Sequence, residues 1–189
     1  WGAACSPRRG WPAGDARSAN GQAALMAQDG EHAVYPAIEM YFNTKSNLVE
    51  FLFSPARISP EIEAKAQEIS LKCIQKLNSP GLFAVELFLT PDQQILVNEI
   101  APRPHNSGHH TIDACDVSQY EQQVRALCGL PLATPRQHSA AVMVNLLGEL
   151  WYESVEGEGG KGHGAYREPD WSLLHAVPGL RLHLYGKHH

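Results

Sequence analysis

Cysteine is scarce and unpaired in pattern: Cys5, Cys73, Cys115 and Cys128 lie far apart with no C-x-x-C spacing. Neither a disulfide framework nor a zinc ribbon is signalled, and a reducing compartment fits. Positive charge is short as well, with 15 Lys and Arg against 20 Asp and Glu for a formal net charge of −5. Nucleic-acid backbones are held by clustered cations, so this balance excludes a general nucleic-acid binder and leaves small-molecule chemistry. No apolar run reaches the roughly 18 residues that span a bilayer, so no membrane partner is expected. The first residues lack the charged, apolar and small-residue order of a signal peptide, and a cytoplasmic location is expected.

What is present suffices for a core: 189 residues, 43% of them hydrophobic, read as one soluble domain, or one domain plus part of another. Trp1 to Asn20 mixes Gly, Pro, Arg and Trp without a period, so residues 1–22 are left unassigned, as disordered or foreign sequence. From Ala23 the pattern becomes regular. Ala23 to Ala27, a turn at Asp29-Gly30 and His32 to Tyr41 predict a β-hairpin, and Asn47 to Phe53 predicts a further strand. Ser59-Pro60-Glu61 starts a helix: Ser can cap it, Pro is tolerated at the first position and acid suits the dipole. That helix runs to about Leu77 with Ile62, Ala66, Ile69, Cys73 and Leu77 on one buried stripe, which makes Cys73 core.

Strands are predicted over Leu82–Leu89 and Ile95–Ile100, joined across residues 90–94 as an antiparallel hairpin. A helix is predicted over Val117–Cys128, stopped by Gly129 and Pro131, with Tyr120, Val124 and Leu127 on one side. Leu132 to Gln137 reads as a linker, Ser139–Leu147 and Leu180–Tyr185 as strands, and the Gly- and Glu-rich Glu153–Gly164 as a mobile loop. The fold class is therefore α+β.

The strand around Glu86 is otherwise apolar, and burying a lone carboxylate is costly. Its hairpin partner carries Glu99, and a hairpin symmetric about Asp92-Gln93 sets the two face to face. Directly opposed like charges repel unless a cation sits between them. Hard carboxylate oxygens without nearby Cys suit Mg²⁺, which shares substrate phosphates and makes ATP the natural third party. Two plainer readings stay open: a sheet edge in water, or neutralisation by Arg103. The next residues, Ile100 to His110, combine two stiffening prolines, a permissive Gly108 and the planar fork of Arg103, the composition of an anion site. His105, His109 and His110 lack the H-E-x-x-H spacing of zinc enzymes, and Asn106-Ser107-Gly108 could equally form a simple turn.

The run Asn98-Glu99-Ile100-Ala101-Pro102-Arg103-Pro104-His105-Asn106-Ser107-Gly108-His109, followed by Thr111-Ile112-Asp113-Ala114-Cys115 and Ser118-Gln119-Tyr120-Glu121, resembles the N5-carboxyaminoimidazole ribonucleotide synthase family. The same segment occurs in the matching domain of eukaryotic phosphoribosylaminoimidazole carboxylase. Supporting matches include Phe53-Ser54-Pro55-Ala56, Gly81 to Glu86, Asn145-Leu146-Leu147-Gly148 and His183-Leu184-Tyr185-Gly186-Lys187, so the resemblance runs from about residue 23 to the end.

The resemblance implies an ATP-grasp ligase that joins bicarbonate to 5-aminoimidazole ribonucleotide at the expense of ATP, through carboxyphosphate. It implies Glu86 and Glu99 as Mg²⁺ ligands and Asn98, with Glu99, beside the nucleotide. Arg103 and His105 fall where the family handles bicarbonate, and Lys187 where it holds the ribonucleotide phosphate or developing anion. Residues 23–133 would be the larger ATP-grasp subdomain, an antiparallel sheet with packed helices, and 138–189 a truncated small β-rich domain. A homodimer is the assembly to test. The family's leading α/β domain and ATP-covering subdomain have no match here, so this chain by itself is expected to be inactive. Rivals are another ATP-grasp ligase, or an inactive fragment that only binds a partner.

Overall fold

The computed structural model describes residues 19–42, 49–157 and 160–186; residues 1–18 and Lys187 are outside that range. The chain divides into two compact units, Trp1–Val144 and Asn145–His189. In the first, strands β1 (Ala19–Met26), β2 (His32–Val34), β3 (Ile38–Phe42), β4 (Val49–Ser54), β5 (Gly81–Leu89), β6 (Ile95–Ala101) and β7 (Ala141–Val144) form one sheet. Its order is β6-β5-β1-β3-β4-β7, with β2 also on β1. Every ladder among the described residues is antiparallel. β7 therefore belongs to the first unit's sheet, through its pairing with β4.

β1 begins at Ala19, inside the stretch expected to have no regular element, and pairs with β5 along its whole length from Ala19↔Phe88 to Met26↔Gly81. Composition concealed it, because a central strand is specified by its neighbours more than by its own propensity. The expected strand from His32 to Tyr41 is two strands. Both lie on the same edge of β1, and the ladder breaks between them at Tyr35-Pro36-Ala37, where Pro36 has no N–H to donate.

Helix α1 (Pro60–Leu77) starts as its sequence dictates: the Ser59 hydroxyl accepts from Ile62 N–H, Pro60 opens the first turn and Asn78 closes the helix in the left-handed region. Its buried line is Ala66, Ser70 and Ile74, about one residue round from the expected stripe, and Leu77 is 49% exposed. The helix turns to meet Met26, Phe83, Val85 and Leu87, with Ile69 packed at the margin. Alternation on β5 sends the other set to the opposite face: Leu82 joins Leu25, Tyr35, Cys115 and Val117, and Phe88 packs on Ile38, Met40 and Leu52. Glu86 lies on this second face, between those two apolar clusters.

The second face is covered by α2 (Thr111–Ala114) and α3 (Gln119–Leu127). The apolar side of α3, Tyr120, Val124 and Leu127, is 42%, 56% and 51% exposed, whereas Gln119, Gln122 and Ala126 are buried. The reason is hydrogen bonding. Gln122 exchanges two bonds with the backbone of Ala133, at 2.6 and 3.0 Å, and Gln123 accepts from Leu82 N–H at 2.6 Å. α3 thus faces strand ends and loops whose backbone groups need partners, and amides serve them where Val and Leu cannot.

In the second unit, residues read as a mobile loop form a hairpin of β8 (Tyr152–Gly157) and β9 (Gly160–Tyr166), with Gly157 paired to Gly160. Leu180–Tyr185 is not a strand: it has no ladder partner among the described residues, and alternation alone does not make a strand. A short helix, α4 (Ser172–His175), precedes it. No helix among the described residues is long and apolar enough to cross a membrane.

Candidate active site

Glu86 and Glu99 face each other across β5 and β6, as the sequence predicts, but by a different route. The hairpin closes on Leu89↔Ile95 and is centred on Asp92, a register that alone would set Glu86 against Asn98. A β-bulge at Asn98 inserts one extra residue and brings Glu99 opposite Glu86. Bulges re-aim side chains in this way and are common beside active sites. On the other flank Glu86 pairs with Gly21 of β1, which has no side chain to crowd it.

Glu86 is 2% exposed, whereas Glu99 opens to solvent. The Asn98 amide donates to Glu86 Oε2 at 3.2 Å, so the bulged residue also holds the buried carboxylate. Arg103 is no counter-ion for Glu99: its guanidinium donates to the Pro104 carbonyl at 3.1 Å, and no ion pair of Arg103 occurs among the described residues.

His105 Nε2 stands 3.7 Å from Glu86 Oε1, and ligand-type atoms of Glu86, Glu99 and His105 lie within 4.8 Å of one another. Burial lowers the His105 pKa to about 4, helped by the charges of Arg103 and His109, so the contact with Glu86 is not an ion pair at neutral pH. His105 Nδ1 receives the Ser107 backbone N–H at 3.4 Å, with the Ser107 hydroxyl 3.0 Å away. That arrangement puts the ring proton on Nε2, facing Glu86. The donor set for a hard cation is therefore the two carboxylates, with an imidazole N–H beside them.

The loop that carries His105 is a short 3-10 turn, Asn106–Gly108, leading into α2. Gly108 leaves no room for a side chain: a Cβ there would lie 2.4 Å from Gln119 Oε1. The buried Gln119 was missed from sequence, because a glutamine in the first turn of a helix ordinarily points to water. His110 is buried too, with Nδ1 3.1 Å from the Ser107 carbonyl and its Nε2 unpartnered among the described residues, beside a small cavity lined by Tyr35, Ile38 and Thr111. Lys187 lies outside the described residues.

Burial, and then the charge of His109, hold His110 neutral down to about pH 4, against the raising effect of the Ser107 carbonyl. An unfolded histidine takes its proton near pH 6.5, so below that value the unfolded chain binds a proton that the folded chain refuses. Stability should therefore fall as pH drops from about 6.5 toward 4, by on the order of 3 kcal/mol from this residue. Urea unfolding of the chain and of His110→Phe at both ends of that window checks it. The variant should lose less stability by about that amount; an equal loss would rule the residue out as the cause.

The chain belongs to the ATP-grasp family: the ATP-grasp domain matches residues 23–120. Residues 141–189 match the phosphoribosylaminoimidazole carboxylase C-terminal domain. The chain is 40% identical over 160 residues to the N5-carboxyaminoimidazole ribonucleotide synthase of Bacillus subtilis (strain 168), an alignment covering 85% of this chain and 37% of that protein. The structure of N5-carboxyaminoimidazole ribonucleotide synthetase from Thermotoga maritima is similar at 44% identity and a TM-score of 0.65, over 71% of this chain and 35% of that one. An N5-carboxyaminoimidazole synthase from Aspergillus clavatus, solved with ADP and 5-aminoimidazole ribonucleotide, matches at 32% identity and a TM-score of 0.66, over 70% of this chain and 35% of that one. The chain thus spans less than two fifths of the length of each.

Proposed function

We propose that this chain supplies the metal- and anion-handling part of an ATP-dependent ligase that carboxylates 5-aminoimidazole ribonucleotide with bicarbonate, in purine synthesis in the cytoplasm. The observation that carries the reading is the buried Glu86 set against Glu99 by the Asn98 bulge, with His105 beside them, in an ATP-grasp frame. The likeness to an enzyme solved with ADP and the ribonucleotide supports it.

Two opposed carboxylates, an amide and no thiolate fit a hard divalent cation, and Mg²⁺ bound there would neutralise charge on the phosphates of ATP. Glu86 and Glu99 would hold it, with Asn98 orienting Glu86 and lying beside the nucleotide. In the reaction a bicarbonate oxygen bonds to the terminal phosphorus of ATP as the bond to ADP breaks. The ribonucleotide amine then takes the carboxyl group from carboxyphosphate, releasing phosphate and a proton. Phosphoryl transfer needs positioning and charge stabilisation more than covalent help. Arg103 is exposed and free to turn toward an anion, His105 presents an N–H, and Lys187 would add a second cation.

A full-length enzyme carrying this segment should release ADP only when both 5-aminoimidazole ribonucleotide and bicarbonate are present. ADP release with glycine and phosphoribosylamine, or with biotin, would assign a different ATP-grasp ligase. Binding of Mg·ATP without turnover on any of these would leave a binding module.

A further inference from the structure

Gln119 is 1% exposed, and every hydrogen-bonding group of its side chain is used. Its Oε1 accepts from the His105 backbone N–H at 3.0 Å, and its Nε2 donates to the His105 carbonyl at 2.8 Å. These two bonds pin His105 like a strand partner and settle which end of the amide is oxygen. The second Nε2 hydrogen reaches His109 Nδ1 at 3.0 Å, where the Tyr120 hydroxyl also lies at 2.9 Å. An amide nitrogen can only donate, so His109 Nδ1 carries no proton and a neutral ring has its proton on Nε2.

The same residue anchors the loop at a fourth point. Gln119 N–H donates to Thr111 Oγ1 at 2.9 Å, and that hydroxyl donates to the Gly108 carbonyl at 2.6 Å. The side-chain amide occupies the space that any Cβ at residue 108 would need. Residues 105, 108, 109 and 111 are thereby tied to the first turn of α3, although none of the ties touches Glu86 or Glu99.

We propose that Gln119 is the positioning residue of this site: its amide sets where His105 stands against Glu86 and which nitrogen of His109 bears the proton. The consequence for the reaction rests on the carboxylating role proposed above. The clamp does not, so the two can fail separately.

Two variants test it. Gln119→Met keeps the length of the side chain and removes all three side-chain bonds. Gln119→Glu keeps the acceptor for His105 N–H and turns the donor side into an acceptor. In the chain itself, amide hydrogen exchange at His105 should accelerate about tenfold or more in Gln119→Met, since the amide loses its partner. Long-range ¹⁵N spectra should show His109 protonated at Nε2 in the parent, and at Nδ1 in Gln119→Glu, where the new carboxylate demands a donor. In a full-length enzyme carrying this segment, Gln119→Met should lower kcat for carboxylated product by about 10²-fold, with KM for ATP within a factor of about two. Should Gln119→Met fail to fold, Gln119→Glu carries the test through the His109 spectrum. Unchanged His105 exchange in Gln119→Met, or an unmoved His109 proton in Gln119→Glu, would overturn the clamp. Both changes appearing while kcat stays at the parent value would overturn its role in the reaction. A full-length parent without carboxylating activity would instead count against the proposed function, while the exchange and spectral results still decide the clamp.

Discussion

Glu86→Gln, made in a full-length enzyme carrying this segment, should lower ATP cleavage by about 10³-fold or more, a loss of ~4 kcal/mol in the transition state. Glu99→Gln should act in the same direction. The amide keeps the shape of the carboxylate, and Asn98 still has an oxygen to donate to, so the fold should stand. Two like charges set face to face cost free energy in a protein without a cation. Either substitution should therefore raise the melting temperature of the metal-free protein slightly, by the equivalent of about 0.5–1 kcal/mol. Activity falling while stability rises is the signature of carboxylates kept for a ligand. ADP formation near the parent rate in either variant would sink the assignment. A large loss of stability in both would show that the pair is structural.

Arg103→Ala and His105→Ala should suppress formation of carboxylated product by about 10²- to 10³-fold, because each removes charge stabilisation that develops during reaction. Their structural costs should differ. Arg103 is exposed and its guanidinium bonds only to the neighbouring Pro104 carbonyl among the described residues, so loss of that side chain should leave the melting temperature almost unchanged. His105→Ala removes the ring that caps Ser107 N–H and should cost about 1 kcal/mol, while Gln119 still grips its backbone. Product formation measured beside thermal unfolding separates the two effects. Lys187→Ala belongs to the same series. If that variant keeps product formation within about a factor of ten of the parent, a change of only ~1.4 kcal/mol, Lys187 should be struck from the site.

Local rules were enough for much of this protein. Ser59-Pro60-Glu61 announces α1 because capping and dipole preferences act within one turn, and the β5–β6 hairpin is visible because two apolar runs flank a short polar turn. The solitary acid in each of those runs marked Glu86 and Glu99, since an unpaired buried carboxylate needs a reason. Tertiary structure decided the rest. The register that opposes the two acids depends on a bulge at Asn98, and a bulge is a property of two strands at once. The faces of α1 and α3 followed their neighbours, so Ser70 went inside while Val124 and Leu127 stayed out. β1 drew its identity from β5 and β3 on either side of it, and Leu180–Tyr185 had the alternation of a strand without a described partner. Gln119 is the sharpest case: nothing in its surroundings along the chain distinguishes it from a solvent-facing glutamine. Only folding brings the His105 backbone, fourteen residues away, to both ends of its amide, because hydrogen-bond complementarity between distant segments exists in space and not in sequence.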